Sequence, residues 1–238
     1  IVLESARINS DHENLRPFFL LAVVTNLHNN TEEPMRPAYR IETERTVLRC
    51  WQPGDAPLLS AAIAASLEHL REWMPWAAGE PRSVGERAAF LRAMRAAFDR
   101  DEEYVYGVFN RDEGAVIGGT GLHRRGEGHC LEIGYWIHVD CINRGLATEI
   151  SAALTKAAFE IHRVDWVEIH CDPNNLRSVS VPRKLGYTHD ATLRRRRTTP
   201  HGQVGGTMIW SLFADEFPGS PAAGAKMKAF DVLGRELK

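Results

Sequence analysis

The sequence predicts a mixed α/β fold in a single domain, and three observations carry that prediction. Two amphipathic helical stretches come first, a hairpin-rich set of strand-like runs follows, and a helical period links two of those strands. The chain has 238 residues, 44% hydrophobic and 25% charged, a composition that fits a folded globular domain rather than wholesale disorder. Lys and Arg number 29 against 31 Asp and Glu, for a formal net charge of −2. A nucleic-acid binder or a membrane-surface protein needs a field of one sign, so neither is expected. Cys50, Cys130, Cys141 and Cys171 lie far apart with no C-x-x-C pair, which argues against a zinc ribbon, a redox motif and a disulfide framework. Reduced thiols in a cytoplasmic protein are the expectation.

The first residue is Ile1, and Met35 is an alternative start. Between them Phe18 to Val24 is apolar, but it is short for a secretory core, no small-x-small site follows it, and it is far too short to span a bilayer. The N-terminal stretch is read as a non-core extension, and Pro218-Gly219-Ser220-Pro221 stops the last regular element before a tail to Lys238.

Val47 to Cys50 reads as a short strand. Pro53-Gly54-Asp55 then opens a helix with Leu58, Leu59, Ile63 and Leu67 near helical spacing, ended by the aromatic loop Trp73-Met74-Pro75-Trp76. Ser83 and Glu86 have capping-box form, and Phe90, Leu91, Met94 and Phe98 give a second amphipathic helix. Strand-like runs follow at Tyr104 to Phe109, Ala115 to Leu122, Cys130 to Val139 and Val164 to Cys171. Between the last two, Ala147, Ile150, Leu154, Ala158 and Ile161 repeat at helical spacing, as a βαβ crossover requires. A short helix from about Asn175 to Leu185 is capped by Gly186, and Tyr187 to Arg197 with Thr207 to Phe213 supply the closing strands.

The chemistry concentrates where the strand through Glu132 to Val139 turns into the crossover helix. A tight turn at Gly145 with small Ala147 behind it presents unpaired backbone N–H groups at the positive end of a helix, a geometry that binds phosphate. No G-K-[ST] follows and no G-x-G-x-x-G is present, so neither a Walker loop nor a dinucleotide fingerprint is in play. Taken alone, Gly145 need only permit the turn.

A second stretch stands about thirty residues on. Glu132, Gly134, Tyr135, Trp136, Gly145, Ala147, Thr148 and Glu149, followed by Asn175, Ser178, Lys184, Leu185, Gly186 and Tyr187, resemble in order and spacing the two acetyl-CoA motifs of the GNAT superfamily of N-acetyltransferases, in its RimJ/RimL-type branch. Trp73-Met74-Pro75-Trp76 resembles a loop of the same branch, and the similarity runs from about Arg45 to Phe217, which implies an extension over 1–44, the domain over 45–217 and a tail over 218–238. The resemblance implies a single GNAT domain with a central twisted, largely antiparallel sheet and one parallel crossover pair splayed for acetyl-CoA. It implies pantetheine beside Trp136, Ile137, His138 and Val139, pyrophosphate at Arg144, Gly145, Leu146, Ala147 and Thr148, further coenzyme contacts at Asn175 and Ser178, and no metal. It also implies an amine acceptor, either the N-terminal α-amine of a protein or peptide or a small amine of aminoglycoside or polyamine type, and a homodimer. A module that binds acyl-CoA without turnover is the non-enzymatic alternative. Ile142 stands where the superfamily often has Gln or Arg, Pro182 falls inside the helix after Asn175 and is expected to kink it, and Gly205-Gly206 suggests a loose final hairpin.

Acetyl transfer needs an uncharged amine, stabilisation of an oxyanion and a proton for the departing thiolate. By resemblance the oxyanion donor is a backbone N–H near Trp136 to Ile137. Period-2 alternation puts Glu132, Gly134, Trp136 and His138 on one strand face, so Glu132 is a candidate base, with an Arg-paired strand carboxylate as the equal alternative. Ser178 is a candidate hydrogen-bond or proton donor to the coenzyme sulfur, or else a capping residue. His170 and His138 are alternative bases. Glu168, His170 and Asp172 share a face, but such spacing is weak evidence for a metal. Arg194 to Arg197 reads first as a solvated strand flanking the sheet, and second as a cationic rim for the coenzyme.

Overall fold

The computed structural model describes residues 37–125, 129–198, 202 and 204–238, all within the compact unit Met35–Lys238. The apolar run Phe18 to Val24 lies outside them. The elements run β1 (Arg40–Glu42), β2 (Thr46–Cys50), α1 (Ala56–Trp73), α2 (Val84–Asp99), β3 (Glu103–Asn110), β4 (Val116–Arg124), β5 (Cys130–Ile137), α3 (Leu146–Glu160), β6 (Trp166–Cys171), α4 (Leu176–Leu185), β7 (Thr188–Thr198), β8 (Val204–Phe213), β9 (Lys228–Phe230) and β10 (Glu236–Leu237). They form one sheet in the order β10-β9-β1-β2-β3-β4-β5-β6-β8-β7. β5 and β6 are parallel, as the α3 crossover dictates, and the other pairs are antiparallel. The mixed, mainly antiparallel sheet expected from the sequence is therefore present. Among the described residues no helix is long and apolar enough to cross a membrane.

Both sheet faces are covered. Val47 and Leu48 are adjacent on β2 and must point to opposite faces; they fall in different hydrophobic clusters. Leu48 belongs to the larger cluster, in which Ile150 and Leu154 of α3 join Leu122, Ile133 and Val167 of the central strands. Val47 belongs to the smaller, with Leu59, Ile63 and Leu70 of α1 and Leu91 of α2. Each such buried aliphatic side chain contributes about 1.5–3 kcal/mol through removal from water. Two expectations shift. Leu58 is exposed, because the buried stripe of α1 runs through Leu59, Ile63, Ser66 and Leu70. Phe90 and Met94 leave the core stripe of α2 and line a cavity instead.

Local signals fix the helix ends. Ser83 Oγ accepts the Glu86 N–H at 3.2 Å and Glu86 Oε2 accepts the Ser83 N–H at 2.9 Å, closing the capping box. Asn175 Oδ1 caps α4 by accepting the Ser178 N–H at 3.1 Å, and Gly186 ends it at φ 86°, the left-handed conformation. α4 is continuous across Pro182. The carbonyl that Pro182 leaves without a helical partner is that of Ser178, and the Tyr135 hydroxyl donates to it at 3.3 Å.

The sheet reaches beyond both sequence-level boundaries. β1 precedes Arg45, and the segment after Pro218 makes two 3-10 turns and then β9 and β10, so Phe213 does not end the last regular element. At the opposite edge, β7 exposes Arg194, Arg195 and Arg196, with pairing interrupted between Leu193 and Arg197. These arginines line neither cavity of the site; charge on an outer strand discourages pairing with another sheet.

Candidate active site

β5 and β6 are in register only at Cys130↔Trp166, Leu131↔Val167 and Glu132↔Glu168. Beyond that point β5 stays with β4, and β6 stays with β8 as far as Cys171↔Met208, so the sheet opens between them. The His138 N–H donates to Ile117 O at 2.9 Å, which sets the alternation of the β4–β5 ladder: even-numbered residues of β5 bond to β4. Tyr135 and Ile137 consequently aim their N–H groups into the opening. This refines the expected donor near Trp136 to Ile137, because the Trp136 N–H belongs to the ladder.

Past β5 the chain turns through Asn143 at φ 61° and Gly145 at φ 76° into α3. Gly145 is the N-cap and offers no side chain, so among the described residues the first-turn N–H groups of Leu146, Ala147 and Thr148 have no capping acceptor. Together with the helix dipole they form an anion cradle. Arg45, in the turn between β1 and β2, braces it: its Nη1 donates to Arg144 O at 2.8 Å, and its N–H donates to Glu149 Oε1 at 3.0 Å. Thr43 Oγ1 donates to the same carboxylate oxygen at 2.6 Å. Sequence reasoning missed Arg45, whose partner lies 104 residues away.

Two cavities meet at this place. One, of about 300 Å³, is lined by Gly145, Leu146, Ala147 and Thr148 and also by Ile142. The other, of about 540 Å³, lies toward α1 and α2 and is walled by Trp73, Trp76, Phe90 and Met94. Tyr135, Trp136, Asn175 and Ser178 line both. Ser178 Oγ and the Tyr135 hydroxyl are 3.0 Å apart, and burial pushes the Tyr135 phenol well above its ordinary pKa, so it stays protonated. Trp76 meets Trp136 edge-on at 6.3 Å.

Of the sequence-predicted coenzyme contacts, Trp136, Ile137, Gly145, Leu146, Ala147, Thr148, Asn175 and Ser178 line the smaller cavity. His138, Val139 and Arg144 do not. The Val139 N–H donates to Ser66 Oγ at 3.1 Å, His138 Nδ1 accepts the Asp140 N–H at 3.2 Å, and the Arg144 carbonyl is taken by Arg45. Glu132 lines neither cavity; its Oε2 accepts from Arg125 Nε at 2.7 Å and lies 3.5 Å from His170 Nδ1. His170 Nε2 is 2.7 Å from Glu168 Oε2. Among the described residues no group of three or more His, Cys, Asp or Glu is arranged to hold a metal ion.

The larger cavity also contains His123 and Glu103, with His123 Nδ1 3.0 Å from Glu103 Oε2. That hydrogen bond holds the Glu103 carboxyl below its usual pKa. Neither residue stands out in sequence, because the contact depends on the β3–β4 register. Glu80 and Arg87, buried and joined at 2.6 Å, complete the wall.

The opened parallel pair, the cradle at its mouth and the crossover helix define an acyltransferase of the GNAT type. A family model described as "Acetyltransferase (GNAT) domain" matches residues 45–188, and the chain belongs to that family. It is an acetyltransferase, and the proteins it resembles include ones named for the RimJ/RimL-type branch. A Bacillus subtilis protein, YdaF, named as a ribosomal N-acetyltransferase, is 24% identical over 152 residues, 63% of this chain and 82% of its own. The crystal structure of a ribosomal-protein-S5-alanine acetyltransferase from Vibrio fischeri superposes with TM-score 0.66 at 17% identity, covering 75% of this chain and 98% of that one. Mycobacterium smegmatis RimJ in complex with CoA-disulfide gives 0.65 at 21% identity, with 76% and 90% covered. At these identities the two solved structures speak to the fold.

Proposed function

We propose that the protein transfers the acetyl group of acetyl-CoA directly, in a ternary complex, to the N-terminal α-amine of a protein or peptide. The observation that carries the reading is the meeting of two cavities at Tyr135, Trp136, Asn175 and Ser178, where β5 and β6 part. One side suits a phosphate-bearing donor, since the free N–H groups at Leu146 to Thr148 would hold its pyrophosphate. The other is an aromatic-walled chamber for the acceptor. The names of YdaF and of the S5-alanine enzyme favour a protein N-terminus over a small amine.

Acetyl-CoA supplies the activated thioester. The Tyr135 and Ile137 N–H groups face the position where the carbonyl oxygen gains charge, and they need no reorganisation to stabilise it. The coupled Ser178 and Tyr135 hydroxyls supply a proton to the leaving sulfur. Ile142 puts no polar side chain at the cradle, so backbone donors carry the pyrophosphate. CoA release measured with N-terminal peptides, an aminoglycoside and a polyamine tests the reading: peptides should be the better acceptors, and tight acetyl-CoA binding with no amine-dependent release would reject the enzyme reading. Ser178→Ala should lower kcat at least tenfold, and Glu132→Gln probes the carboxylate held by Arg125; wild-type kcat in both would reject acid or base roles for these two residues.

A further inference from the structure

We infer that His123, oriented by Glu103, is the general base that takes the proton from the acceptor ammonium; this rests on the acetyltransferase reading above. His123 lies opposite Glu103 on β3 and opposite Glu132 on β5, so all three share the sheet face that floors the larger cavity. The hydrogen bond from Nδ1 to Glu103 Oε2 makes Nδ1 the protonated nitrogen and leaves the lone pair on Nε2. Among the described residues Nε2 has no hydrogen-bond partner. The ring lies over two glycines: a Cβ on Gly121 would stand 2.9 Å from Nε2, and one on Gly134 would stand 3.5 Å away. Bare backbone at both positions therefore admits the imidazole and sets Nε2 beside Gly134, one residue before Tyr135 and the opening between the strands.

The other candidates are engaged elsewhere. Glu132 is held by Arg125 outside the cavity lining, His170 Nε2 is taken by Glu168, and His138 caps its own turn. The charged groups facing His123 are Glu103 from β3, Glu132 with Arg125 from β5 and the segment after β4, and His170 with Glu168 from β6. Asp172 at the end of β6 and Glu80, Arg82 and Arg87 on the helical side line the same cavity.

The step balances as follows. The ammonium gives one proton to Nε2, the imidazolium forms beside the Glu103 carboxylate, and that proton leaves to solvent. The neutral amine forms a C–N bond to the thioester carbonyl, the C–S bond breaks, and the amine's second proton replaces the one that the Ser178 and Tyr135 hydroxyls give to sulfur. Ammonium and thioester thus yield amide, thiol and one released proton.

The test measures acetyl transfer to a peptide N-terminus from pH 5.5 to 9.5, with CoA affinity by calorimetry, in wild type, His123→Gln, His123→Ala and Glu103→Gln. Loss of an aligned base predicts a fall of about 10²–10⁴-fold in kcat/KM for the amine at pH 7 in His123→Gln, with CoA affinity unchanged. The deficit should shrink toward pH 9.5, where the acceptor deprotonates unaided, and added imidazole should restore activity to His123→Ala. Glu103→Gln should retain CoA affinity and lower kcat/KM by less than His123→Gln does, because the imidazole is still present but loses the carboxylate that orients it. A His123→Gln rate within threefold of wild type at pH 7, or loss of CoA affinity in parallel with activity in all three variants, overturns the base assignment and leaves the acetyltransferase reading standing. A wild type that binds CoA and acetylates no amine overturns both.

Discussion

Replacing His162 by leucine will remove a defined part of the protein's acid sensitivity. His162 follows α3, is buried, packs at a tilt against Tyr104 with ring centroids 4.4 Å apart, and among the described residues has no hydrogen-bond partner for either ring nitrogen. Burial, with a smaller contribution from Arg124, pushes its pKa from 6.5 down to about 4. Above pH 6.5 the imidazole is neutral in both folded and unfolded chains and imposes no penalty. As the pH falls from 6.5 toward 4, the unfolded chain binds a proton that the folded chain refuses, so stability drops through that window and levels off below it. The full gap is worth about 3 kcal/mol, of which about 2 kcal/mol falls between pH 7 and pH 5. Urea unfolding of wild type and His162→Leu at pH 7, 6 and 5 isolates the effect, since other titrating groups cancel in the difference. The stability advantage of the variant should grow by about 2 kcal/mol from pH 7 to pH 5. A difference that stays constant within about 0.5 kcal/mol would show that the folded protein protonates His162 as readily as the unfolded chain, and would refute the reasoning.

Two further outcomes concern glycines in the left-handed region. Gly145→Ala should weaken CoA binding by about tenfold in calorimetry with little loss of stability: a left-handed alanine costs about 1–2 kcal/mol, which the turn can relieve by moving its N–H groups, and its methyl would meet only Arg45 Nη2 at 3.7 Å. Gly186→Ala combines the same conformational cost with a Cβ 2.7 Å from Pro221 Cδ; the sum of about 2–4 kcal/mol should lower Tm by roughly 5–15 °C in a thermal scan.

What the sequence disclosed was mostly local. The box at Ser83 and Glu86, the caps at Asn175 and Gly186 and the period of α3 are each written within a few residues, and each stands where expected. The paired motifs likewise located the opening between β5 and β6. What remained hidden depends on register or on distant chain. Phe90 and Met94 have helical core spacing, yet they line a cavity because of what lies opposite them. The Glu103–His123 contact needs the β3–β4 hairpin to be in place, and Arg45 reaches Glu149 only after the whole crossover has folded. Pro182 looked disruptive because its remedy, the Tyr135 hydroxyl, comes from a strand more than forty residues earlier. β1 and β9 have three residues each, too few for any period to register.

Those two short strands determine an order of assembly. Arg40 pairs with Phe230, 190 positions further along the chain. Closing a loop of that length in a flexible chain costs about 5 kcal/mol, more than a three-residue ladder returns by itself. The β1–β9 pairing therefore forms only after the intervening sheet has brought its ends together, and acts as a latch fastened last. A ribosome-bound chain that has not yet reached Phe230 displays the outer edge of β1 unpaired, so a chaperone or protease that reads open strand edges can tell an unfinished copy from a finished one.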